Sequence, residues 1–189
     1  MNPSNPTAAA APNPAHLRKP GHSTPVSHAT MQGRIARFAE LRPDAYAFPD
    51  LRQQAGRRSV HYVISPGALG GPAPLTQPHN FHASISCLGP GIRPTVHSHP
   101  YNEVFMPLDA RFRVLWGEQL EDSTVLAPFD MISVPPGVFR TFENLDAHDG
   151  HMLALFDHGG DPHTGIVVPP DVYEKLYRNW VPGLGRPAG

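Results

Sequence analysis

The sequence is short of the features that most quickly classify a chain. Its single cysteine, Cys87, cannot form a disulfide within the chain, which excludes a cysteine-stapled secreted scaffold. Only Lys19 and Lys175 are lysines and the net charge is −1, so no dense basic patch exists, and neither nucleic acid nor an anionic membrane surface is an expected partner. No apolar run approaches the ~20 residues of a membrane helix, and no repeat recurs at solenoid-like periods. These absences point to a soluble, reducing, cytoplasmic setting. What remains, 189 residues of which 40 % are hydrophobic, suffices for one domain around one core.

The first thirty residues carry six prolines and no aromatic. They cannot bury enough apolar surface to offset their ordering entropy, so residues 1–30 are expected to be a disordered tail. The basic pair Arg18-Lys19 follows the AAAA run instead of preceding it, the reverse of a secretory signal, and Met31 is an alternative start. Residues 31–57 read as an N-terminal helix and arm. In MQGRIARFAELRP, Ile35, Phe38 and Leu41 recur at three-residue steps and stop before Pro43.

From residue 58 the pattern turns to short alternating runs parted by Pro, Gly and Asp: SVHYVIS, FHASISCL, EVFMPL, RFRVLW, STVLA, DMISV, FRTFEN and HMLALF. Eight such runs predict an all-β sandwich or barrel over residues 58–168. After Pro169-Pro170, DVYEKLYRNW sets Val172, Tyr173 and Leu176 on one face, so residues 169–189 are expected to form a closing helix and tail.

The chemistry concentrates in TVHSHPYNEVF, residues 95–105. On a strand, His97 and His99 point the same way, roughly 6 to 7 Å apart at the backbone, close enough to reach one metal ion. Glu103 joins them only if the chain turns at Pro100-Tyr101-Asn102; a reversal there would pair residue 99 with residue 103 and residue 97 with Phe105. Two imidazoles and a carboxylate make a ligand set typical of Fe(II), also tolerated by Zn, Mn or Ni, with positions left open for substrate or dioxygen.

The stretch from Gly91 through His97 and His99 to Glu103 resembles the first motif of the cupin superfamily, except that Ala110 stands where a final Gly is expected. The stretch FDMISVPPGVFRTFEN resembles the second motif, matching at Pro135, Gly137 and Asn144. The resemblance implies a jelly-roll barrel, the double-stranded β-helix, often dimeric, with a metal held inside. It is nearest to single-domain, quercetin-dioxygenase-like (RmlC-like) cupins. Two positions depart from the pattern. Phe129 replaces a glycine, which a small turn change is expected to absorb. Arg140 stands where the family supplies a third histidine, and arginine has no lone pair to offer a metal. The implied metal ligands are therefore His97, His99 and Glu103 alone.

Arg140 admits two readings. It can present a planar fork of donors to a small anionic substrate beside the metal, which makes Glu103 and Arg140 the candidate catalytic pair. Or the fold has lost its metal and Arg140 neutralises Glu103 in a buried salt bridge. A Gly89-Pro90 hairpin would pair residue 82 with residue 97 and put His82 and Asn80 beside the histidines. Phe105, Phe112, Val114, Trp116, Phe142 and Leu155 have inward alternation; Arg140, His82, Phe105 and Phe142 are the candidate substrate contacts. Two function classes stay open: a metal-dependent, dioxygenase-like enzyme on an anionic enol, phenol or carboxylate, or a non-catalytic ligand-binding cupin. A homodimer is expected in either case.

Overall fold

The computed structural model describes residues 21–43, 59–65, 73–75, 81–156 and 165–179. All eight expected strands form: β1 (Ser59–Val63), β2 (His82–Leu88), β3 (Glu103–Pro107), β4 (Phe112–Trp116), β5 (Asp122–Leu126), β6 (Ile132–Val134), β7 (Arg140–Asn144) and β8 (Gly150–Phe156). They make two antiparallel sheets, one ordered β1-β2-β8-β3-β6 and one ordered β5-β4-β7, an arrangement consistent with a jelly roll.

Alternation decides which faces meet. β3 buries Glu103, Phe105 and Pro107, while β8 buries Gly150, Met152, Ala154 and Phe156 and leaves His151, Leu153 and Leu155 half-buried. The core between the sheets takes Phe105, Met152 and Ala154 from the larger sheet and Phe112, Val114 and Phe142 from the smaller, with Trp116 packed against it. Burying each of the larger of these, Phe, Met or Val, contributes about 1.5–3 kcal/mol. Leu155, expected inward, lies on the other face: β8 starts at Gly150, and this phase gives the interior to Ala154 and Phe156. Strand β2 is buried on both faces, Ala83, Ile85 and Cys87 included. Over that outer face Phe38 sets its ring 5.1 Å from Tyr62 and 5.2 Å from His151.

Helix α1 (His28–Gln32) begins earlier than the residue pattern suggests. Ser27 supplies the reason, because its side chain accepts the Thr30 N–H at 3.1 Å and starts the helix there. The chain leaves the helix at Gly33, and Phe38–Glu40 forms only a 3-10 turn, so no helix spans residues 31–42. The expected tail thus contains helix from His28 on; residues 1–20 lie outside the described residues. At the other end α2 (Pro170–Val172) runs into a π-helical turn, Tyr173–Tyr177. Val172 and Leu176 are half-buried, but Tyr173 is exposed and Tyr177 takes the covered side in its place. No helix among the described residues is long and apolar enough to cross a membrane.

Three motif positions acquire physical reasons. Asn144 is wholly buried; its Nδ2 donates to the carbonyls of Leu88 and His148 at 2.8 and 2.7 Å, and its Oδ1 accepts the Asp146 N–H at 3.0 Å. One side chain therefore ties the end of β2 to the β7–β8 turn. Phe129 keeps the left-handed conformation that a glycine would favour, with φ 73°, so the turn does not change to suit it. Ala110 is buried against Gly150, where a Cβ would come within 2.6 Å of the Ala110 methyl. The methyl at 110 is accommodated by the lack of one at 150.

Candidate metal centre

Glu103 opens β3, between Val134 of β6 and Phe156 of β8. The histidines arrive by another route than a hairpin. His97 and Arg140 exchange backbone hydrogen bonds, with N to O distances of 3.3 and 3.0 Å, and Ser98 does the same with Val167 at 2.8 and 3.1 Å. Gly137 donates to the His99 carbonyl at 2.8 Å. The expected 99–103 pairing is therefore not made: the HSH segment is strapped to the start of β7 and to the segment before α2. Convergence nonetheless results, for the ligand atoms of His97, His99 and Glu103 lie within 4.8 Å of one another, the one such cluster among the described residues.

The donors suit a metal ion in chemistry as well as in spacing. His97 Nδ1 lies 2.7 Å from the Thr95 carbonyl, which can only accept. The proton therefore sits on Nδ1, and the lone pair is on Nε2, the usual device for fixing a ligating imidazole. His99 is buried and boxed by rings: His97 at 4.9 Å, Phe156 at 4.7 Å, both near perpendicular, and Tyr101 stacked at 6.0 Å. This cluster can bind a metal, as such clusters do in cupins.

Arg140 is the largest fully buried side chain among the described residues. Its Nε and Nη2 both donate to Oε2 of Glu103, the first at 2.8 Å, and Nη1 donates to the His97 carbonyl at 2.9 Å. Three of the five guanidinium N–H groups are thereby engaged within the protein. Oε1 of Glu103 accepts no hydrogen bond from the described residues. Burial pushes the Glu103 carboxyl above its ordinary value, against the opposing pull of Arg140's charge and hydrogen bonds. Glu103 would therefore serve as a ligand to a divalent ion while Arg140 keeps its hold on Oε2.

The remaining sequence candidates are distributed unevenly. His82 is buried and inward, but its strand partner is Phe156, not residue 97, because β2 pairs with β1 and β8. Its ring lies 5.4 Å from that of Phe156, against which His99 also packs at 4.7 Å. Asn80 lies outside the described residues. Phe105 and Phe142 sit in the core, ring to ring at 5.0 Å. Phe156 and Tyr101, which flank His99, were not among the candidates. The phase of β8 from Gly150 could have identified Phe156; Tyr101 carried only a turn signal.

No family model and no curated protein matches this chain. Solved structures do share its fold. A cupin-2 domain from Rhodospirillum rubrum is 15 % identical, with TM-score 0.51 over 73 % of this chain and 81 % of that one. The polyketide cyclase RemF of Streptomyces resistomycificus is 13 % identical, with TM-score 0.50 over 65 % and 77 %. A cupin 2 conserved barrel domain protein from Salinispora arenicola is 19 % identical, with TM-score 0.46 over 65 % and 85 %. The fold is that of cupin barrel domains.

Proposed function

We propose that this chain is a metal-dependent enzyme on the cupin fold, in which His97, His99 and Glu103 hold a divalent metal, with Fe(II) favoured and Zn, Mn or Ni as alternatives. The reaction class is oxygenase-like, on a small anionic substrate of enolic, phenolic or carboxylate type. The observation that carries this reading is the convergence of three donors within 4.8 Å, one of them with its Nδ1 engaged by the Thr95 carbonyl. When bound, a metal with so few protein ligands can hold dioxygen and an anion side by side.

The chain's own residues supply the rest. Arg140 and Glu103 cancel one another in charge and the imidazoles are neutral, so a bound divalent ion leaves its full charge on the site, which favours anions. Arg140 holds Glu103 by Oε2 and so restricts the orientation of its carboxylate. Its engaged fork is poorly placed to clamp a substrate as well, so Arg140 acts here through Glu103. Phe156 and Tyr101 flank His99 and limit water around it.

The Arg140–Glu103 pair also supports a second reading, a non-catalytic ligand-binding cupin, because it satisfies the buried carboxylate without any ion. Oxygen uptake by anaerobically purified, Fe(II)-supplied protein against a panel of phenolic and enolic acids separates the two. Uptake with at least one acid, abolished by chelation, is the expected result. A chain that binds such acids equally well after chelation and consumes no oxygen is the second kind of protein.

A further inference from the structure

Ser84 stands in the middle of β2 with its side chain wholly buried, and its hydroxyl makes no hydrogen bond with any of the described residues. Leaving a buried hydroxyl unpaired costs the full desolvation of that group, and an alanine at the same place would carry no such cost. Alternation aims this side chain between the sheets, on the face it shares with His82 and the core residue Leu88.

Register sets its surroundings. Ser84 lies opposite Ala154, and Ala154 opposite Phe105; one pleat repeat along the same strands, His82 lies opposite Phe156 and Phe156 opposite Glu103. Ser84 is thus two strands across and one pleat repeat along the sheet from Glu103, about 12 Å between the two backbones. Ala154 ends at its Cβ, so no long side chain from β8 fills the row between Ser84 and Phe105.

We propose that Ser84 belongs to a ligand subsite, in which its Oγ hydrogen-bonds a hydroxyl or carbonyl oxygen of a ligand whose anionic end lies at His97, His99 and Glu103. The chemical class is a small aromatic or enolic acid with a second oxygen function on the far side of its ring. The Phe156 ring, beside His99 and one pleat repeat along β8 from Ala154, offers such a ligand an aromatic wall. The inference rests on the metal-centre reading only for the position of the anionic end.

Titration calorimetry of the full chain with 4-hydroxybenzoate and with benzoate tests it, because the two acids differ only in the distal hydroxyl. Wild type should bind the hydroxy acid about tenfold more tightly, the equivalent of one buried hydrogen bond. S84A should lose that preference and bind benzoate as wild type does. Thermal unfolding of ligand-free protein is the second readout: S84A should melt no lower than wild type, since it removes an unpaired hydroxyl. An equal preference in both proteins, no binding of either acid by wild type, or a lower melting temperature of S84A through a lost water or protein partner overturns the proposal. Metal analysis of the same samples keeps the two readings apart. If both proteins lack metal while the preference persists in wild type and vanishes in S84A, the metal reading fails and the subsite stands.

Discussion

Arg140 directs two N–H groups of one guanidinium edge onto a single oxygen of Glu103, leaving the other oxygen without a hydrogen bond from the described residues. A residue that cannot ligate a metal therefore holds one that can. The pair explains how Glu103 stays buried and oriented with an arginine at position 140.

Removing that partner should expose the coupling. R140M leaves Glu103 buried and uncompensated, which is expected to destabilise the metal-free fold by about 3–5 kcal/mol. A divalent ion on the carboxylate would restore part of this loss, so the melting-temperature rise on adding Zn should be larger in R140M than in wild type. Equal rises would show that Arg140 and the ion do not share Glu103. R140H, which supplies an imidazole at the same place, should instead raise metal affinity; unchanged affinity would mean that position 140 does not reach the ion.

Asn144 makes three buried or half-buried hydrogen bonds, to Leu88, His148 and Asp146. N144A should cost about 3 kcal/mol in urea unfolding, because backbone groups of two turns lose their partner together. A loss below about 1 kcal/mol would mean that water replaces the amide without difficulty.

The signals that made the strands legible explain why the connections were not. Period-two alternation with Pro, Gly and Asp between runs located all eight strands, since it reports a face locally. Partnership is not local. β2 pairs with β8, more than sixty residues on, and nothing in FHASISCL specifies HMLALF over the nearer TVHSH. The cluster of His97, His99 and Glu103 was legible from spacing and motif, although the route that joins them, through Arg140 and Val167, was not. Ser84 escaped notice because its interest lies in a missing partner, which only three-dimensional neighbours can reveal.

Phe129 adopts φ 73° and leaves 73 % of its surface exposed. The left-handed conformation costs a non-glycine residue about 1–2 kcal/mol, little apolar burial offsets it, and glycine gives back part through its larger unfolded-state entropy. F129G should therefore be stabilising by about 0.5–1 kcal/mol in urea unfolding. Marked destabilisation would show that the exposed ring packs on something.

Arg111 donates its backbone N–H to Asp146 at 2.8 Å, and its guanidinium reaches the other carboxylate oxygen at 2.7 and 2.9 Å. The backbone bond first and the guanidinium second hold the Asp146 carboxyl below its ordinary value. A lowered folded value gives stability that is present above the ordinary carboxylate range, about pH 4, and lost as pH falls through the lowered value. D146N should melt below wild type at pH 7, and the gap should narrow in acid; a gap that is constant with pH would assign the effect to geometry alone.

The central claim is that His97, His99 and Glu103 form a metal centre despite Arg140. The most direct measurement is elemental analysis of protein purified without oxygen or chelator, alongside the H97A/H99A double variant. About one divalent ion per chain is expected in the wild type and almost none in the double variant, which keeps a single protein ligand. A metal-free wild type that cannot be loaded, or a double variant that holds its ion in full, would contradict the account.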